Sequence, residues 1–161
     1  MQQIVPCLWF DNQAEEAAKF YVETFKNSSI NETSYYMEEG QEIHGQAAGT
    51  VLTVEFELNG QAFTALNGGP AFKFNEAVSF QVFCDDQEEV DYYWNTMSAV
   101  PESEQCGWLK DKFGVSWQIT PTILSKLLAD PDKAKAQRVM RAMLQMKKLN
   151  ISELKAAANA E

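Results

Sequence analysis

The chain has 161 residues, enough for about one domain with a small appendage. Apolar residues make up 45% and aromatics 12%, which supports a real core and argues against disorder. The net charge of −10 argues against nucleic-acid or anionic-membrane partners, because phosphate binding needs a basic footprint.

No apolar run approaches the ~18 residues of a membrane span. The opening Met1-Gln2-Gln3-Ile4 has no basic or apolar leader pattern. Three cysteines, Cys7, Cys84 and Cys106, form no Cys-x-x-Cys, so neither a disulfide framework nor a zinc knuckle is indicated. A reducing cytoplasm is the simplest setting. The single histidine, His44, rules out a multi-histidine metal site within one chain. Charge is unevenly spread: residues 1–121 carry net −14 and residues 122–161 carry net +4. The basic tail is either a solvated helical face or a docking element for an acidic surface, its own or a partner's.

In chain order, Gln3 to Trp9 reads as a buried strand. Asn12 with Glu15 forms a capping-box pattern, and Ala14, Ala17, Ala18, Tyr21, Val22 and Phe25 recur at helical spacing to about Lys26. Ile30 to Met37 reads as a strand. Glu38 to Gly49 reads as a polar loop containing His44. Thr50 to Leu58 alternates, with Leu52, Val54, Phe56 and Leu58 on one face and Val51, Thr53, Glu55 and Glu57 on the other. Asn59-Gly60 is a tight hairpin turn, because both central residues need positive φ. The return strand Gln61 to Leu66 is broken by Asn67-Gly68-Gly69-Pro70.

Ala77 to Cys84 is the next strand, and Asp85-Asp86-Gln87-Glu88-Glu89 opens a helix carrying Val90, Tyr93, Trp94 and Met97. Gln105 to Lys112 and Val115 to Thr120 form a hairpin turning at Phe113-Gly114. The remainder is helical. Thr120 or Thr122 caps a helix ending near Ala129, and Asp130-Pro131 pairs an N-cap with a first-turn proline. Asn150 with Glu153 caps a last short helix.

The two halves echo each other. Asp11-Asn12-Gln13 matches Asp85-Asp86-Gln87 at an offset of 74, and Asn59-Gly60 matches Phe113-Gly114 at an offset of 54. A tandem βαβββ module fits, with modules at about 1–72 and 73–121, the second about 20 residues shorter. Residues 122–161 form a C-terminal helical extension. The fold class is α+β, with the paired modules forming a cup-shaped mixed half-barrel.

The module order, with Pro6-Cys7-Leu8-Trp9-Phe10-Asp11, Ala65-Leu66-Asn67-Gly68-Gly69-Pro70 and Cys106 through Ile119, resembles the vicinal-oxygen-chelate superfamily of glyoxalase I, extradiol dioxygenases and bleomycin-resistance proteins. Within it, these motifs and Leu127-Leu128-Ala129-Asp130-Pro131-Asp132 resemble the PhnB-like branch, often labelled 3-demethylubiquinone-9 3-methyltransferase. The resemblance implies a dimer and a cup. In superfamily enzymes a divalent metal is held by four side chains. Those positions fall here at Ile4 or Val5, Thr64, Val78 or Ser79, and Gln118. None is His, Asp or Glu, so the expectation is no metal and no cofactor.

Alternation and the resemblance then give a cup lining of Cys7, Trp9, Thr64, Asn67, Ser79, Gln81, Cys106, Trp108 and Gln118. Aromatic walls with a few amides and hydroxyls suit a small, flat aromatic or amphipathic ligand. Cys106 as a nucleophile would need Lys110 or Lys112 as its base, and an inert thiol is the plainer reading. Two functions remain: a metal-free binding homodimer of the bleomycin-resistance kind, or an enzyme acting on a quinone-like substrate as the label implies.

Overall fold

A computed structural model describes residues 2–160. The chain divides into two compact units, one ending at Phe74 and the other beginning at Asn75.

The first unit holds β1 (Cys7–Phe10), α1 (Ala14–Thr24), β2 (Ser29–Tyr35), α2 (Gln41–His44), β3 (Val51–Leu58) and β4 (Gln61–Asn67). Its sheet runs β1-β4-β3-β2, with β1 parallel to β4 and the other neighbours antiparallel. The β3–β4 turn has Asn59 at φ 46° and Gly60 at φ 84°, as the Asn-Gly signal requires. One sheet face carries Leu8, Phe10, Val54, Phe56, Phe63 and Ala65, all buried. Helix α1 lies on that face through Ala14, Ala17, Ala18 and Tyr21, its alanines letting the backbone approach closely. Tyr21 stacks on Phe56, and Phe56 on Phe63.

Three local expectations are corrected in this unit. Strand β1 begins at Cys7, not Gln3, and Ile4 is 94% exposed, so that apolar run marks no buried strand start. Helix α1 begins after Gln13, which makes no side-chain cap, and Asn12 does not cap it. The Glu38–Gly49 loop contains the one-turn helix α2, bracketed by Gly40 and Gly45 in the left-handed region.

The second unit holds β5 (Ser79–Cys84), α3 (Gln87–Met97), a 3₁₀ turn (Pro101–Ser103), β6 (Trp108–Lys110), β7 (Ser116–Pro121), α4 (Ile123–Leu128), α5 (Lys133–Met143) and α6 (Ile151–Asn159). Its sheet runs β5-β7-β6. Leu109, Trp117, Ile119 and Cys84 are buried together with Val90, Trp94 and Met97 of α3. Asp86 Oδ1 accepts Glu89 N–H at 2.9 Å while Glu89 Oε2 accepts Asp85 N–H at 2.9 Å, a reciprocal cap.

The repeat holds at the level of strand register. Cys7 faces Thr64 across β1 and β4, and Gln81 faces Gln118 across β5 and β7. These are the same pair moved by the offsets of 74 and 54. The molecule is thus α+β, two open sheets of βαβββ-type modules with helices and no closed barrel. The second sheet has three strands because no counterpart of β2 appears among the described residues. The first module spends residues 25–50 on β2, α2 and their connections, whereas the second passes from α3 to β6 through residues 98–107.

The basic tail docks on the acidic body within the second unit. Helices α4, α5 and α6 bury Leu124, Val139, Leu149, Leu154 and Ala158 in a cluster of their own. Lys148 pairs with Asp91 at 2.8 Å and Lys147 with Glu104 at 3.8 Å. The carbonyls of Met146 and Lys147 each accept, at 2.8 Å, the N–H groups of Cys106 and Gly107 just before β6. Asn150 caps α6 by accepting Glu153 N–H at 3.0 Å. Helix α5 is capped by Asp132, not Asp130, which instead accepts Asp132 N–H at 3.0 Å and pairs with Lys135.

Candidate functional site

Each sheet has one face packed under its helix and one face open. In the first unit, Cys7, Trp9, Ala62, Thr64, Glu55 and Glu57 share the open face by strand alternation. An open groove of about 420 Å³ lies there, lined by Gln3, Val5, Asn31, Glu55, Glu57, Ala62 and Thr64, with edges of Phe56 and Phe63. Asn31 Nδ2 donates to Glu57 at 3.4 Å, and among the described residues no cation pairs with Glu55 or Glu57. The alternation of β3 already placed both glutamates on this face. Their role as groove lining was missed, because paired carboxylates on a strand read equally as a solvated face.

Trp9 stands at the end of that face in a fixed pose. Its indole N–H donates to the Gly69 carbonyl at 2.8 Å, and its ring meets Phe72 edge-on at 5.0 Å. Gly68 lies against the ring so closely that a Cβ there would come within 2.3 Å of it. The Asn67-Gly68-Gly69-Pro70 run therefore clamps Trp9. Asn67 itself points to the helix side. Its Oδ1 accepts Ala14 N–H at 2.8 Å and its Nδ2 donates to the Val51 carbonyl at 3.1 Å.

In the second unit the open face collects Ser79, Gln81, Ser116, Gln118, Trp108 and Lys110. Gln118 Nε2 donates to Ser79 Oγ at 2.8 Å. Lys110 pairs with Glu76, which holds the Glu76 carboxyl below the usual carboxylate range. Ser116 is 2% exposed. Cys106 lies before β6 at φ 50°, its N–H tied to Met146 and its sulfur accepting Gln105 Nε2 at 3.3 Å. Four predicted lining residues, Ser79, Gln81, Trp108 and Gln118, are thus brought to one sheet face, as Cys7, Trp9 and Thr64 are to another.

The three thiols are free. Burial raises the Cys7 thiol above its ordinary value. Cys84, buried and close to Glu89, Asp85 and Asp86, is pushed up to about 12. His44 sits on α2, its Nδ1 accepting Gln46 N–H at 3.0 Å.

The groups implied by the superfamily and its label do not fit these residues. Thr64, Ser79 and Gln118 offer only neutral hydroxyl and amide oxygens, a poor donor set for a divalent cation, and Gln118 Nε2 donates to Ser79 Oγ. Among the described residues, no group of three His, Cys, Asp or Glu is arranged to hold a metal ion. The Gly68-Gly69 run follows a hairpin strand and uses its groups on Trp9, where an adenosylmethionine cradle needs a glycine turn opening a helix. No helix is long and apolar enough to cross a membrane among the described residues.

Two βαβββ-type modules with open sheets define a protein of the glyoxalase fold. A family model described as 3-demethylubiquinone-9 3-methyltransferase matches residues 2–120, about three-quarters of the chain, and the chain belongs to this PhnB-like family. Among solved structures, a putative 3-demethylubiquinone-9 3-methyltransferase, PhnB protein, from Bacillus cereus is 36% identical. The match has a TM-score of 0.62 and covers 75% of this chain and 100% of that one. A Staphylococcus aureus protein is 30% identical over 73% of this chain and 94% of its own, with a TM-score of 0.33. A lactoylglutathione lyase from Agrobacterium tumefaciens is 18% identical over 77% of this chain and 96% of that one, with a TM-score of 0.39. Among curated proteins, none matches the chain. The family match ends at residue 120, before α4.

Proposed function

We propose that this protein binds a small aromatic or amphipathic molecule without a metal, against the open sheet faces of its modules. The observation that carries the reading is the Gln118–Ser79 hydrogen bond, which joins two neutral side chains where the resemblance implies metal ligands at Gln118 and at Val78 or Ser79. Cys7, Trp9, Thr64, Ser79, Gln81, Cys106, Trp108 and Gln118 are the proposed lining, and Asn67, turned to Ala14 on the helix side, is left out of it. Glu55 and Glu57 in the groove favour a neutral or cationic ligand over an anionic one. Exposed Ile4, Val78 and Phe83 support a second copy as partner, and three free thiols support a reducing, cytoplasmic setting.

Metal analysis of purified protein tests the metal-free part, and stoichiometric zinc, nickel, manganese or iron would sink it. Thermal-shift measurements with aromatic amines, quinone analogues and S-adenosylmethionine test the rest. Stabilisation by aromatic amines is the expected result. The family description favours a second reading, an enzyme acting on a quinone-like substrate. Stabilisation by S-adenosylmethionine together with a quinone analogue would establish that reading instead.

A further inference from the structure

Ser116 is the one residue among those described whose buried side-chain oxygen has no hydrogen-bond partner. It sits on β7, on the open face of the second sheet, with Ser79 and Lys110 as its register neighbours. A buried hydroxyl without a partner is destabilising, so proteins rarely keep one that does nothing.

Its surroundings define what it could meet. Ser79 Oγ accepts from Gln118, which leaves the Ser79 O–H free to donate. The cation at the register position beside Ser116, Lys110, is already neutralised by Glu76. An anion would need an unspent positive charge, and a neutral oxygen does not. Trp108, the register partner of Gln118, supplies an apolar flank.

We propose that Ser116 and Ser79 form an oxygen-recognising subsite that takes a neutral carbonyl or hydroxyl oxygen of a small aromatic ligand. This rests on the binding function proposed above and adds to it the group by which the ligand is oriented. The subsite gives the sheet face a polar anchor beside an apolar wall, without a metal ion to hold the oxygen.

The test uses isotope-labelled full-length protein titrated by NMR with acetophenone, ethylbenzene and benzoate. Acetophenone should shift the Ser79, Ser116 and Gln118 amides and bind more tightly than both other probes. Ser116→Ala should weaken acetophenone about three- to tenfold, the worth of one neutral hydrogen bond, and leave ethylbenzene unchanged. Because the hydroxyl has no protein partner, Ser116→Ala should also keep or raise thermal stability. A clear loss of stability would show that the hydroxyl is satisfied in the free protein and would overturn the proposal. So would tighter binding of benzoate. Equal binding of acetophenone and ethylbenzene, unaffected by Ser116→Ala, would overturn the oxygen subsite and leave the binding function standing. Failure of all three probes to bind at millimolar concentration would overturn both.

Discussion

Asn67 Oδ1 accepts the backbone N–H of Ala14 at 2.8 Å, across 53 residues of chain. The last residue of β4 thereby caps the first turn of α1. The same carboxamide donates to the Val51 carbonyl, so one side chain fixes helix, strand and the start of β3. Asn67→Ala should lose about 2 kcal/mol, a lost cap plus a buried carbonyl left unpaired. Asn67→Asp should keep the cap and lose the donor, falling between the two. Urea unfolding followed by circular dichroism measures all three. Wild-type stability in Asn67→Ala would show that α1 is held by its alanine face alone.

A second long-range anchor explains the Asp111-Lys112-Phe113-Gly114-Val115-Ser116-Trp117 motif. Asp111 is 1% exposed, and its carboxylate accepts Phe113 N–H at 2.8 Å, Val115 N–H at 3.0 Å and the Trp117 indole N–H at 2.9 Å. It shapes the turn before β7 and orients the core face of that strand, which in turn sets Ser116 and Gln118 on the open face. Asp111→Ala should cost roughly 3 kcal/mol or more, because several buried donors lose a charged acceptor together. Asp111→Asn should cost less, since one oxygen survives. Chemical denaturation read by circular dichroism follows both, and an unchanged midpoint in Asp111→Ala would refute the anchoring role.

These two anchors mark where sequence reasoning works and where it stops. The β3 alternation, the Asn59-Gly60 turn and the Asp86 and Asn150 caps are local, and local chemistry decides them. The repeat was legible as two offsets, 74 for the first strands and 54 for the last, and in the structure these carry the Cys7–Thr64 pair onto the Gln81–Gln118 pair. Asn12 looked like the α1 cap because it is near in sequence. Asn67 takes the role because β4 runs parallel to β1 and brings a better-placed acceptor. Ile4 and Val5 read as buried only by composition. At the site, parity gave the sheet face of Ser79, Gln81, Ser116 and Gln118. It could not say that Ser79 and Gln118 would satisfy each other and leave Ser116 unpartnered, since that depends on rotamers set by packing.

The tail should peel away first. Gln87 on α3 holds it with both ends of its amide: Nε2 donates to the Leu149 carbonyl at 3.1 Å and Oε1 accepts Ile151 N–H at 2.8 Å. Gln87→Ala should raise hydrogen exchange across residues 144–152 by tens of fold, the effect of losing about 2 kcal/mol locally. The Lys148–Asp91 pair adds a pH dependence. Hydrogen bonds from Lys148 and then Gln87 hold the Asp91 carboxyl below the usual range. Its stabilisation is present above the unfolded carboxylate value near 4 and is lost as pH falls through the lowered folded value. Exposure limits that contribution to no more than about 1 kcal/mol, and salt should erase it. Exchange at pH 3 and pH 6, at low and high salt, checks this; equal protection under all four conditions would show that the ion pair holds nothing.

Cys84 predicts behaviour at the other end of the pH scale. Burial, and then the carboxylates of Glu89, Asp85 and Asp86, push its thiol up to about 12. In the unfolded chain the same thiol ionises near 8.5. The folded value is raised, so its contribution is whole below the unfolded value and is lost as pH climbs through the folded one. Stability should therefore fall between about pH 9 and 12, and Cys84→Ala should flatten that decline. Reactivity gives the independent check. Iodoacetamide at pH 8 should alkylate the exposed Cys7 in the native protein and reach Cys84 only after urea unfolding. Native alkylation of Cys84 at the rate of Cys7 would show that the β5–α3 junction opens freely, and the buried thiol would then be no part of what holds the second module together.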